Sequence, residues 1–578
     1  MSRSIFKPAL IAAAISAAFV PLTSYAADDV GARIDALNRQ LEAVNKELAA
    51  LKARMQAQQQ AAPAAAAAAE AEAAEEKWLT IGGDYQFRID SLRGETRPFT
   101  DVNAMFSIAQ GQLQQAFFAN PTPANGAMLN GFINFAQGMS AVGTFAQAQS
   151  FLGANAMMLG GLASFAPPAF VPAYKPKNDS IYSNRLGLDL KADVAENITF
   201  KARLAMYKTF GAQDDYALVN GGGAPFFADR VGVFDGTLGR FPSSSLLNVD
   251  RAYVTWAGIG GLDAWFSVGR RPSTDGTPLH LKANTVPSGT AGTPALLVNY
   301  AFDGMTFGYM PDIAALPGAY AKLCYGRGFE NGYSTPGGNS LDDTDMVGLS
   351  VVPYETEDLK VWLQWNRGMN IFDAPTMKGT YFGDTRARTN LGDIDWYGAG
   401  VMGKLDGVGP GTLNWFADVG VSVTRPNDNV SAQFGFQGLL TGSFFNPEAP
   451  SSKTGNAIFV GLRYDLPSRT KLGLEFNRGS ENWITFAPAA ADMWTSKLGT
   501  RGTVYDVYVI QELNARPIAS AGAKAFFRLG YQAYDFKYTG SNNWVGAPVK
   551  MSDVQGQMSA LTPLSKAYDL YGTFEVKF

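Results

Sequence analysis

From residue 78 to the end, the chain is written in a period of two. Leu79, Ile81, Gly83, Tyr85, Phe87 and Ile89 are apolar or small, and Thr80, Gly82, Asp84, Gln86, Arg88 and Asp90 between them are polar or small. Such alternation sends successive side chains to opposite faces of a strand, so one face meets an apolar phase and the other meets water. The pattern returns over 186–190, turns at Val194-Ala195-Glu196-Asn197 and resumes over 198–204, a β-hairpin. Similar runs stand at 249–256, 262–271, 296–310, 319–327, 345–352, 359–367, 394–405, 412–424, 456–466, 470–479, 503–513 and 523–538. Each has about the 9–11 residues that a tilted strand needs to cross a bilayer. Short connections, such as 353–358 and 467–470, alternate with long ones, such as 425–455 and 480–502.

Strands in lipid must leave no unpaired edge, so the pattern predicts a closed antiparallel barrel with short turns at one end and long loops at the other. With both barrel termini on the periplasmic side, the strand number is even. Splitting 296–310 at Asp303-Gly304 gives seventeen runs. Treating that pair as a bulge, across which the apolar face passes from Val298, Tyr300 and Phe302 to Met305, Phe307 and Tyr309, gives sixteen. The expected fold is an all-β transmembrane barrel of about sixteen strands, in a range of roughly fourteen to eighteen.

Composition narrows the function. Of 578 residues only 17% are charged, with 62 Gly, 38 Phe and 23 Tyr, against about 25% charged in an ordinary soluble domain. One Cys and one His leave no material for a disulfide framework, a Cys/His zinc site or a haem attachment motif, so neither metal nor cofactor is expected. A net charge of -4 without a basic tail gives no footprint for nucleic acid.

Ahead of the alternation lie three further segments. Arg3 and Lys7 precede an apolar stretch over 9–20, and Ser24-Tyr25-Ala26 suits a signal peptidase, which predicts a signal peptide over 1–26 and export of the rest. Val30, Ile34, Leu37, Leu41, Val44, Leu48, Leu51 and Met55 recur at steps of four and three, the seam of a periplasmic coiled coil within 27–56. A helix this short needs partners, so a homo-oligomer is expected; the seam itself does not settle two strands against three, and a trimer is favoured for the molecule as a whole. Residues 57–77 read as an Ala/Gln/Glu-rich linker broken at Pro63, and 78–578 as the barrel.

At the C-terminus, Tyr568, Leu570, Gly572, Phe574, Val576 and Phe578 alternate with Asp569, Tyr571, Thr573, Glu575 and Lys577. This resembles the terminal strand of Gram-negative outer-membrane porins, whose final aromatic is read by the assembly machinery. Residues 269–276, Gly-Arg-Arg-Pro-Ser-Thr-Asp-Gly, and 477–483, Asn-Arg-Gly-Ser-Glu-Asn-Trp, resemble motifs of a family of porin-like proteins with N-terminal coiled coils. The resemblance implies an outer-membrane pore for passive diffusion of small hydrophilic solutes or ions, with outer-membrane lipid around it and no chemical step. Two other readings stay open: a structural tether to peptidoglycan or a barrel sheathing a periplasmic partner protein, and an outer-membrane hydrolase.

Taking the polar parity as luminal, the wall carries Arg88, Arg185, Lys201, Arg203, Arg251, Arg271, Lys322, Lys360, Arg463 and Arg528. Against them stand Asp84, Asp189, Asp263, Asp418, Asp465, Glu475 and Asp506. The slight basic excess predicts a mild anion preference if these groups share a constriction, and little selectivity if they pair with one another. Arg88, Arg185, Arg203 and Arg251, near the middle of neighbouring strands, would form a basic ladder. The first extracellular loop, at about 96–180, has no charged residue between Val102 and Tyr174. It reads as a low-complexity loop, a segment folded into or over the mouth, or a subunit contact. His280 reads as a surface loop histidine without catalytic partners, Cys324 as a free luminal thiol, and Asp342, Asp343 and Asp345 as a solvated acidic loop rather than a Ca²⁺ site.

Overall fold

The computed structural model describes residues 78–211, 245–273, 276–287, 289–333, 341–374, 377–380, 383–487, 492–514 and 523–578, with Glu42, Lys46 and Ala49. The coiled-coil seam, the signal peptide and the linker lie outside the described residues. Among the described residues, no helix is long and apolar enough to cross a membrane.

Sixteen strands form one closed sheet. They are β1 Leu79–Thr96, β2 Lys177–Ala195, β3 Ile198–Thr209, β4 Asn248–Ala257, β5 Ala264–Ser273, β6 Tyr300–Tyr309, β7 Tyr320–Phe329 and β8 Thr344–Glu355. They continue as β9 Leu359–Phe372, β10 Asn390–Val408, β11 Gly411–Pro426, β12 Thr454–Asp465, β13 Thr470–Gly479, β14 Gly502–Glu512, β15 Lys524–Phe536 and β16 Leu564–Lys577. Each pairs antiparallel with the next, and β16 returns to β1 in a register that runs from Asp84 opposite Lys577 to Thr96 opposite Leu564. Phe578 extends this seam, donating its N–H to the Gly83 carbonyl (3.0 Å) and accepting from the Gly83 N–H (2.8 Å).

The two faces of the wall obey different rules. Outward-facing apolar side chains are exposed all round the barrel, among them Trp256, Phe307, Leu323, Leu363, Val419, Leu472, Val507, Leu529 and Leu570. So much bare apolar surface is stable only in lipid. Most inward-facing positions outside β1–β4 are buried, and large rings there sit over glycines of neighbouring strands: Tyr508 over Gly473 and Tyr571 over Gly530, where any Cβ would overlap the ring.

Those inward rings are buried because the long loops fold back into the lumen. Leu296, Leu297 and Val298 of the β5–β6 loop, Trp483, Ile484 and Phe486 of the β13–β14 loop and Trp544 of the β15–β16 loop pack with Trp396 of the wall in one apolar core. The buried indoles are satisfied by carbonyls: Trp396 donates to Ile484 (2.9 Å), Trp483 to Leu498 (2.7 Å) and Trp544 to Phe372 (2.8 Å). Arg501 ties the β13–β14 and β15–β16 loops together, donating to the carbonyls of Trp483, Thr539, Gly540 and Asn543.

This interior core corrects the bulge expected at Asp303-Gly304. β6 runs through that pair without a register shift against either neighbour. Tyr300 and Phe302 face inward against Phe486, at ring-centroid distances of 6.4 and 6.0 Å, whereas Met305, Phe307 and Tyr309 are exposed on the outer face. The apolar parity changes because the apolar partner changes, from loop core to lipid, and not because the backbone does. Residues 296–299, expected to begin this strand, belong to the loop core instead.

The uncharged first loop is a helical unit. Helices α1 Val102–Ala119, α2 Pro123–Ser140, α3 Phe145–Ala154 and α4 Ala156–Ala163 follow β1. The first three are capped by short side chains at the flanking positions: Asp101 accepts from the N–H groups of Asn103 and Ala104, Thr122 from Asn125, and Thr144 forms a reciprocal box with Gln147. Met105, Ala109, Phe132, Phe135 and Leu162 pack together and against Phe445 of the β11–β12 loop. The reading as a low-complexity loop is therefore set aside in favour of a folded one.

Candidate functional site

The barrel interior holds the charged side chains, and its centre is occupied by the β5–β6 loop. One turn of helix, α5 His280–Ala283, ends with carbonyls that the capping N–H groups of Asn284 and Thr285 satisfy only at His280 and Leu281. Wall cations supply the donors. Arg463 reaches the Leu281 carbonyl (2.6 Å), Arg528 that of Lys282, and Lys577 that of Ala283 (2.6 Å). Lys471 donates to the Asn284 side chain (2.7 Å), and from the other side of the barrel Lys322 donates to the carbonyls of Thr290 and Gly292 (both 2.7 Å). These contacts pin the loop across the lumen, from β7 to β12, β13, β15 and β16.

Below α5 lies a buried ion network. Asp506 accepts from Lys282, from Lys497 (3.0 Å), from Gln532 (3.0 Å) and from the Tyr571 hydroxyl (3.0 Å). Lys497 also pairs with Glu475. The two lysines sit on loops and shift in opposite directions. Burial pulls the Lys282 ammonium below the usual lysine range, with Asp506 opposing it only in part and Lys497 adding repulsion. Burial acts on Lys497 too, but Glu475 and Asp506 together outweigh it and hold the ammonium well above that range.

The wall is less covered along β1–β4. Here the expected basic ladder is a mixed one. Arg203, 13% exposed in its side chain, pairs with Asp84 and with Asp189 (2.6 Å), and its Nε lies 4.0 Å from Asp250. Arg185 is 3.8 Å from Asp84, and Arg251 is 3.2 Å from Asp250. A register shift between Arg203 and Leu204 against β4 brings Asp250 inward beside Arg251, which alternation alone did not foretell. Lys201 is exposed on the same inward parity. Arg88 is not part of a ladder: it is buried between Asp90 (2.6 Å) and Asp569 (2.9 Å), with its guanidinium 4.6 Å from the Tyr571 ring centroid.

The other expected wall residues are scattered. Lys360 is buried and pairs with Glu355 (2.9 Å), Arg463 with Asp465 (2.7 Å), and Arg528 with Glu575. Asp418 is buried, and its Oδ2 has no hydrogen-bond partner among the described residues. Arg271 is buried on β5, bonded to Ser267 and Thr306. Asp263 lies in the exposed β4–β5 turn. Of the acidic loop, Asp343 and Asp345 are paired by Arg327, at 2.5 and 2.8 Å. Cys324 is a free thiol accepting from Thr306 (3.1 Å).

His280 corrects the expectation of a surface histidine. It is 6% exposed, inside the barrel at the start of α5. Burial, with Arg463 and Lys360 adding repulsion, lowers its pKa to about 4, and its Nδ1 has no hydrogen-bond partner among the described residues. Lys282 and Lys497, which hold the ion network together, were missed because loop residues carry no periodic signal.

A closed antiparallel barrel with an apolar outer belt and a charged interior defines the outer-membrane β-barrel class. Within that class the chain belongs to the family described as "Protein of unknown function (DUF3373)", whose model matches residues 175–578. No curated protein matches. Among solved structures, the chain is similar to OmpT, an outer membrane protein of Vibrio cholerae in its trimer form, at 12% identity and a TM-score of 0.36 over 86% of this chain and 99% of that one. It is also similar to Salmonella typhi OmpF in complex with daunomycin, at 8% identity and 0.37 over 86% and 97%. A mutant of the Rh. blastica porin gives 10% identity and 0.31 over 86% and 99%.

Proposed function

We propose that the protein is an outer-membrane porin for small hydrophilic solutes or ions, with a narrow path along the β1–β4 sector. The observation that carries this reading is the contrast inside one barrel: the β6–β16 wall is covered by inward-folded loops, whereas Arg185, Asp189, Lys201 and Arg203 stay partly exposed on the inward side. Arg203 is shared between Asp84 and Asp189, so the sector is close to neutral, and the exposed Lys201 supports only a weak anion preference. In the same reading the subunits form a trimer, with the coiled coil in the periplasm as its clamp or as a contact to peptidoglycan.

Planar-bilayer recording of the purified protein tests this. The expected result is small, ohmic steps with weak selectivity for anions. A barrel that inserts but passes no current would favour the second reading, a structural tether or sheath, which the apolar core filling the loop end of the lumen supports.

A further inference from the structure

Among the described residues, buried cations are compensated in different ways, and Arg271 has no carboxylate partner. Arg88, Lys497 and Arg528 have carboxylates. Lys322 has loop carbonyls, and Arg501 has four of them. Arg271, 6% exposed, has hydroxyl and thiol partners only: its Nε donates to Ser267 (2.6 Å), its Nη1 to Thr306, and the Cys324 thiol lies beside it. Among the described residues no carboxylate lies within ion-pair distance of it. A guanidinium in this position is expensive to bury unless a further anionic group completes its fork.

A small cavity adjoins this guanidinium. Arg271 borders about 30 Å³ of cavity, lined by the inner wall from β5 to β9 and by Thr293 of the β5–β6 loop. Three buried polar atoms on its lining have no hydrogen-bond partner among the described residues: Thr293 Oγ1, Gln364 Oε1 and Asn366 Nδ2. Hydroxyl and amide groups can all present donors, and a planar fork of N–H groups matches the oxygens of an oxyanion rather than a halide.

We propose that this cavity binds one small oxyanion per chain, of the phosphate or sulfate class. Arg271 supplies the charge-assisted pair of hydrogen bonds, Thr293 donates from the loop, and Asn366, with the Gln364 amide turned, donates from β9. The bound anion joins the loop to the wall where, among the described residues, a buried arginine has no carboxylate. The site stands whether or not the barrel conducts, since none of its donors belongs to the Asp84–Arg203 sector.

Equilibrium dialysis of radiolabelled phosphate and sulfate against the full-length protein in detergent, with chloride balancing the ionic strength, tests the site. Saturable binding of at least one of these anions, near one per chain, is expected. Arg271→Gln should weaken it by roughly tenfold or more, Arg271→Lys by less, since the charge stays but the fork is lost. Thr293→Val should weaken it several-fold, which keeps the test open if Arg271→Gln does not fold. Absence of saturable binding below about 10 mM, a concentration already corresponding to negligible affinity, would overturn the proposal. So would equal binding by wild type and by variants that retain a heat-modifiable gel band.

Discussion

His280 makes the stability of the loop plug depend on pH. A histidine with a free-chain pKa of 6.5, lowered to about 4 by burial and by Arg463 and Lys360, favours the folded protein while neutral. Its contribution is complete above pH 6.5 and is lost as pH falls from there toward 4, because the unfolded chain takes the proton first. The difference amounts to about 3 kcal/mol at the acid end. The gel-shift melting temperature of the wild type should fall over that window, and that of His280→Gln should fall less. At the same scale, Arg185 and Arg203 hold Asp84, Asp189 and Asp250 in balance. Replacing both arginines with Gln removes the ion pairs of Asp84 and Asp189 while Arg251 still faces Asp250, so the reversal potential in a KCl gradient should move toward cation preference. The shift should be larger at low salt, since the Debye length is roughly 10 Å at 0.1 M and about 3 Å at 1 M.

At the level of elements, the β5–β6 loop is the part that determines how much of the lumen is open. Replacing residues 276–294 with a short Gly-Ser turn removes the carbonyl acceptors of Lys322, Arg463, Arg528 and Lys577. These cations then face water, where they need no partner, so the barrel should still insert. Single-channel conductance should rise several-fold, with stronger anion preference, and unchanged conductance would place the constriction elsewhere. The strands themselves were legible because lipid imposes one rule on every outward position, as in β13 and β16. The loops obey no such rule. Tyr300 and Phe302 read as lipid-facing since an aromatic looks the same against hydrocarbon as against Phe486, and only the fold tells these partners apart. The α1–α4 unit was illegible as helix for a related reason: without charges, no polar face stands out from its apolar one. The mixed charges of β1–β4 were legible as residues, yet their pairing depends on strand stagger and on the β3–β4 register shift, neither of which a single sequence displays.

For the molecule as a whole, the β1–β16 seam is the point where the first and last strands meet. Phe578 adds two backbone hydrogen bonds to Gly83 beyond the end of β16, and its ring lies against Gly83. Deleting Phe578 should reduce the membrane-inserted, heat-modifiable fraction sharply, measured by gel shift of outer-membrane fractions; normal insertion would show that the rest of the seam suffices.

The same seam has a consequence for the order of events during folding. Arg88 comes from the first strand, Asp569 and Tyr571 from the last, and Lys282 lies over the Tyr571 ring from the loop between β5 and β6. The latch thus has three parts, contributed by the beginning, the end and the interior of the chain. Strand pairing can grow from either terminus, but the latch cannot form until the loop has already entered the lumen. Strand pairing alone can close the seam, but only the inserted loop brings Lys282 to the Tyr571 ring and completes the latch.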